Sequence, residues 1–173
     1  MNTQQGALKP ARILIVDDEA AVAELFASFC ASEEREVTQC TSSLEALALV
    51  TSTAFDVLIT DIVMPQLDGL SLVREARKHD KHLEAIVITG HASDYSMEEV
   101  LQCGASDLIV KPVRMREFRA RVELAIERRR AFSNLVARQR ELQVTSREMI
   151  DGLQRELEDA VSGQGRRRTT DAK

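Results

Sequence analysis

Acidic, hydroxyl and cationic residues follow four separate apolar runs in this chain. Ile13–Val16 leads into Asp17-Asp18-Glu19, and Val57–Ile59 leads through Thr60 to a lone carboxylate, Asp61. Ile86–Ile88 ends on Thr89-Gly90, and Leu108–Val110 ends on Lys111-Pro112. Carboxylates brought together raise one another's pKa unless a cation relieves them. With oxygen ligands and no His or Cys nearby in sequence, the fitting ion is hard, such as Mg²⁺. Asp17, Asp18, Asp61, Lys111 and one divalent ion sum to zero charge. An incoming phosphoryl group would suit such a site, since the cation and the lysine can neutralise its oxygens. Asp61, with no adjacent carboxylate to share the role, is the candidate nucleophile for an aspartyl phosphate. Thr89 can donate a hydroxyl to a phosphoryl oxygen.

These residues need a scaffold that brings strand ends together. The four runs are short and rich in β-branched residues, as strands are. Glu36–Thr41 is a weaker, polar-interrupted edge strand. Helical patterns lie between them. Glu19–Ser32 puts Val22, Leu25, Phe26 and Phe29 on one face, and Ser43–Thr51 groups Leu44, Leu47 and Val50. Asp68 caps Leu70–His79, with Leu72, Val73 and Ala76 inward. Ser96–Gln102 forms a short helix that Gly104 stops. Alternating strands and helices with two-sided apolar strands predict a parallel sheet covered on both faces. Its strand ends share one edge, where ligands of open sheets bind.

Composition narrows the class. The 173 residues suffice for one domain and an appendage. No apolar run reaches membrane-spanning length, and the N-terminus has no signal-peptide core, so a cytoplasmic protein without membrane insertion is expected. Cys30, Cys40 and Cys103 lack metal or disulfide spacing and read as packing residues. Residues 1–110 carry 7 basic and 18 acidic side chains, net −11, and residues 111–173 carry 16 and 10, net +6.

The stretches ILIVDDE (13–19), DVLITDIVMPQLDG (56–69), IVITGHAS (86–93) and GASDLIVKPV (104–113) resemble the receiver domain of two-component response regulators. The resemblance spans residue 10 to about 125. It implies a flavodoxin-like (βα)5 three-layer sandwich with parallel sheet order 2-1-3-4-5. It implies that Asp61 accepts a phosphoryl group from a phosphohistidine on a sensor histidine kinase or phosphotransfer protein. Asp18, Asp61 and the backbone carbonyl of Val63 would bind Mg²⁺ directly, and Asp17 through a water. Thr89 and Lys111 would engage the phosphoryl group, and the Lys111–Pro112 bond would be cis. One position departs from the family pattern. Leu108 stands where most receivers have Tyr or Phe, which predicts a weak response over 96–108 and an output through the last helix. Val63 and His91 flank the pocket, and His91 reads as a loop residue.

Beyond Pro112 the pattern stays helical from Met115 to about Val161. Phe118, Val122, Ala125 and Ile126 would pack on the sheet. Phe132, Leu135, Gln139, Leu142, Ser146, Met149, Leu153 and Leu157 then recur at three- and four-residue steps, close to a coiled-coil seam. A helix over 115–160 would be roughly 70 Å long, too long to bury its stripe on its own domain. The expected organisation is a disordered N-terminus (1–10), a receiver (11–127), a helical coiled-coil extension (128–161) and a disordered tail (162–173). The expected function is a phosphorylation-controlled module that signals through a parallel homodimer or a downstream protein partner, with no enzymatic output of its own. The alternative is the N-terminal part of a larger regulator with a cyclic-di-GMP phosphodiesterase, diguanylate cyclase or histidine kinase output. No HD pair, GGDEF-like loop or dimerisation-box histidine supplies that chemistry, since His79, His82 and His91 all lie in the receiver. Arg166–Arg168 is too short a basic run to argue for DNA.

Overall fold

Hydrophobic alternation on both sides of short strands produces the observed architecture. The structure, a computed structural model, describes residues 9–90 and 95–165, apart from the side chains of Met97 and residues 159–165. The elements run β1 (Ala11–Val16), α1 (Ala20–Cys30), β2 (Arg35–Cys40), α2 (Ser43–Ser52), β3 (Val57–Asp61), α3 (Gly69–His79), β4 (Glu84–Thr89), α4 (Met97–Cys103), β5 (Asp107–Val110) and α5 (Met115–Gly165). All strand pairs are parallel, in the order β2-β1-β3-β4-β5. The chain divides into two units, Met1–Ala131 and Phe132–Lys173.

Successive strand residues face opposite layers, as a pleat requires. Leu14, Val16, Leu58, Ala85 and Val87 pack with Ala46, Leu72, Val73, Ala76 and Val100 from α2, α3 and α4. Ile13, Ile15, Ile59, Ile86, Ile88 and Ile109 pack with Phe26 and Cys30 of α1 and with Phe118, Val122, Ala125 and Ile126 of α5. The Phe26 and Phe118 rings stack with centroids 4.9 Å apart. Two members of the apolar groupings on α1 and α2 do not face the sheet fully. Leu25 and Leu44 are about half exposed, because α1 turns Ala23, Phe26 and Cys30 inward and α2 turns Ser43 and Ala46 inward. Small residues let these helices sit close to the sheet. All three cysteines are buried, and burial pushes the Cys30 thiol up to about 12.

Caps set the helix limits. Asp68 accepts the Ser71 N–H at 2.8 Å. Ser96 and Glu99 form a reciprocal capping box, and Gly104 ends α4 at φ 90°. Tyr95, just before that cap, is half-buried on the same cluster as Val100 four positions into the helix, the arrangement of a hydrophobic staple. α5 continues without a break through the receiver boundary expected at residue 127 and reaches Gly165, so residues 162–165 are helical. Of the tails expected at 1–10 and 162–173, residues 1–8 and 166–173 lie outside the described residues, as does His91.

At the sheet edge opposite the acidic rim, Arg129 ties α5 to two loops. Its Nη2 donates to Asp80 Oδ2 at 2.6 Å and its Nε to Asp56 Oδ1 at 3.3 Å. Beside it, Arg128 Nη1 lies 3.9 Å from the buried Glu84 Oε2. Burial opposes the charge of Asp80, but the His82 N–H and Arg129 outweigh it and hold the carboxyl below its usual value. Arg129→Ala should therefore cost about 1–2 kcal/mol in urea unfolding, since both acids keep some solvent. A depressed folded pKa stabilises above the unfolded value of about 4 and loses that contribution as pH falls through the folded value. The gap between wild type and Arg129→Ala should thus shrink below about pH 4.

Candidate phosphoacceptor site

The parallel register brings the chemistry-bearing residues to one rim. Val16 ends β1 opposite Thr60, so Asp17 and Asp18 follow beside Asp61. Asp61 lies opposite Ile88, and Thr89 lies opposite Val110 just before Lys111. One carboxylate oxygen each of Asp17, Asp18 and Asp61 falls within 4.8 Å of the others. Lys111 Nζ donates to Asp61 Oδ2 at 2.9 Å and to Asp17 Oδ2 at 3.3 Å. Asp17 is buried and Asp18 exposed.

Backbone donors fix the acids. Asp17 Oδ1 accepts the Glu19 N–H at 3.0 Å, and Asp61 Oδ1 accepts the Ile62 N–H at 2.7 Å. Burial raises the Asp17 pKa, only partly offset by Glu19 and Lys111. Burial also works against the charge on Lys111, but its hydrogen bond to Asp61 and the charge of Asp17 outweigh it and lift the lysine above its usual value. Three carboxylates thus gather at one rim while Lys111 bonds two of them, Asp61 and Asp17, leaving the rim short of positive charge.

The β3–α3 loop is pinned at several points. The Ile62 N–H donates to Ile88 O at 3.0 Å, and the Gly69 N–H to Ile62 O at 2.9 Å. The buried Ser43 hydroxyl donates to Pro65 O at 3.0 Å. A tight turn puts Gln66 at φ 69°, with the Leu67 N–H bonded to Pro65 O at 2.8 Å. Val63 stands in this loop two residues past Asp61, half exposed. Thr89 is fully buried at the end of β4, and its carbonyl accepts the Lys111 N–H at 2.7 Å. A Cβ on Gly90 would lie 3.9 Å from Lys111 Cδ, an ordinary contact. The Lys111–Pro112 bond is cis.

Two supporting residues were not singled out by sequence reasoning. The Thr60 hydroxyl donates to the Asp61 carbonyl at 3.0 Å. A Cβ on Gly69 would fall 1.9 Å from that same carbonyl oxygen. The available signal was a glycine at the first position of a helix, where its low propensity calls for a steric reason.

Strand order, layering and the acidic rim together define a CheY-like, flavodoxin-type α/β sandwich. The model of the response regulator receiver domain matches residues 13–123, and the chain belongs to that family. It is the receiver domain of a two-component response regulator. It is 34% identical over 116 residues to the regulatory protein AtoC of Escherichia coli K12, covering 67% of this chain and 25% of AtoC. It is 40% identical over 102 residues to a response regulator receiver protein of Anaeromyxobacter sp. strain Fw109-5, covering 59% of this chain and 43% of that protein. A CheY-like receiver domain from Methanospirillum hungatei JF-1 superposes with a TM-score of 0.65 at 28% identity, covering 71% of this chain and 98% of that one. The chain thus matches less than half the length of these two curated relatives. No described helix is long and apolar enough to cross a membrane.

Proposed function

We propose that Asp61 is the phosphoacceptor of a Mg²⁺-dependent receiver and that α5 carries the output. The observation that carries this reading is the junction of Asp61, Lys111, Asp17 and Asp18 at one rim. An Asp61 carboxylate oxygen attacks the phosphorus of a phosphohistidine. The P–O bond forms, the N–P bond breaks, and the imidazole of the sensor kinase or phosphotransfer protein leaves with the electron pair. Lys111 moves its ammonium from the carboxylate to a phosphoryl oxygen, and the Thr89 hydroxyl donates to another.

The donor set fits a hard divalent cation, being all oxygen and two charges short of neutral after Lys111. Asp18, Asp61 and the Val63 carbonyl would hold Mg²⁺ directly, with Asp17 acting through water. When bound, the ion supplies charge neutralisation for the phosphoryl oxygens. Asp17→Asn relieves a buried charge, so the metal-free variant is expected to melt no lower than wild type. The rise in melting temperature that millimolar Mg²⁺ gives wild type should be lost. An undiminished Mg²⁺ response in that variant would contradict the ligand assignment.

Leu108 fills its half-buried place on the cluster that includes Val87 and Tyr95. With no aromatic ring at 108, the response is assigned mainly to α5, leading to dimerisation or to a downstream protein. Mass measurement after acetyl phosphate with and without Mg²⁺, read beside backbone NMR shifts, tests both parts. Large shifts over 96–108 with none over 113–125 would remove the assignment to α5. The short matched share of AtoC favours one second reading, in which the same receiver serves a longer regulator with a separate output domain. The extent of the gene decides between them.

A further inference from the structure

The second unit, taken alone, leaves Leu135, Leu142, Met149, Leu153 and Leu157 each more than half exposed. Gln139 and Ser146 lie between them on the same stripe. Positions 139, 142, 143 and 146 follow the i, i+3, i+4, i+7 spacing of a hole that takes one side chain from a facing helix. A shallow, open depression lies over this spot, lined by Gln139, Leu142, Gln143, Ser146, Arg147 and Ile150. We infer that the occupant of this face is a second copy of the same helix, parallel and in register, with Leu142 of each copy seated in the other's hollow. This rests on the reading of α5 as the output element; it chooses a second copy over a downstream protein and adds the register and the residues that fix it.

Polarity follows from the polar seam residues. In a parallel, in-register pair Gln139 meets its own counterpart, and an amide can both donate to and accept from an identical amide. Ser146 likewise meets Ser146. Reversing one helix would set Gln139 against Met149 and Ser146 against Leu142, leaving polar groups without partners in an apolar seam. Charge sets no competing rule along most of the seam, since of the flanking positions 136, 138, 143, 145, 150 and 152 only Arg138 is charged, and Glu156 and Glu158 flank it only at Leu157. Size is sufficient. A helix over 132–165 is about 50 Å long and about 10 Å across, so a full-length seam covers roughly 1,000 Å² counted on both copies, the lower bound of a specific interface.

Disulfide trapping tests the arrangement on the full chain, because Cys30, Cys40 and Cys103 are all buried. Leu135→Cys and Leu153→Cys are made singly and oxidised mildly at tens of micromolar. The expected result is a linked dimer from each variant alone, and no mixed disulfide when the two are combined. Mixed disulfides without self-linking would overturn the polarity, the two sites being about 27 Å apart along one helix. A sedimentation mass of one chain, or of three or four, would overturn the dimer itself. Gln139→Leu should tighten association about tenfold and broaden the mass distribution, because a polar seam residue fixes register at a cost in stability. Unchanged affinity would remove Gln139 from the seam. Acetyl phosphate uptake at Asp61, measured on the same samples, shows whether the phosphoacceptor reading survives independently.

Discussion

Asp61→Asn is expected to abolish phosphoryl uptake from acetyl phosphate in Mg²⁺, a loss on the order of 10³-fold or more. The amide has the shape of the carboxylate, so its oxygen can still accept the Ile62 N–H that now bonds Oδ1 at 2.7 Å. It lacks the charge and the nucleophilic oxygen. Lys111 would keep Asp17 as a partner at 3.3 Å. The fold should therefore survive, with a change in urea stability within about 1 kcal/mol. The check is intact mass after acetyl phosphate, read beside circular dichroism. A folded Asn variant that still gained one phosphoryl group at the wild-type rate would move the acceptor elsewhere and end the account of this rim.

Gly69→Ala should damage both stability and the site. The added methyl would stand 1.9 Å from the Asp61 carbonyl oxygen and 3.1 Å from Ile62 Cα. Both neighbours are backbone, so no side chain can swing away. Either α3 retreats from the sheet or the end of β3 shifts. The Gly69 N–H bond to Ile62 O and the Thr60 hydroxyl bond to the Asp61 carbonyl resist both moves. Overpacking of this kind costs about 1–3 kcal/mol, and here the upper end is expected. Because the strain falls on Asp61 itself, the phosphorylation rate should drop further than the stability loss explains. Urea unfolding and single-turnover phosphorylation separate the two effects. Wild-type values in both would show that α3 has slack the packing does not reveal.

Much of this was legible in the sequence because period and punctuation agreed. Two-sided apolar strands, Asp68 as a cap and Gly104 as a stop are local signals that packing did not override. The rim was legible because a parallel sheet sends every strand end to one edge, so Asp17, Asp61 and Lys111 needed no further information to meet. The apolar groupings on α1 and α2 included Leu25 and Leu44, which are about half exposed. Hydrophobicity favoured the large leucines, whereas close packing on the sheet favoured Ala23, Ser43 and Ala46. Gly69, Thr60 and the Arg129 tie depend on distances between segments far apart in the chain. No periodicity encodes such distances.

The staple at the entrance to α4 has a practical consequence. The chain contains no tryptophan and one tyrosine, Tyr95, and that ring is half-buried against the apolar layer to which Leu108 and Val87 also belong. Phenol emission from the whole molecule therefore originates at one address, six residues past Thr89. The protein carries an intrinsic optical gauge at the entrance to α4, and with the response assigned to α5 its signal should change little when the rim is loaded. Its quenching and anisotropy can be followed without attaching a dye.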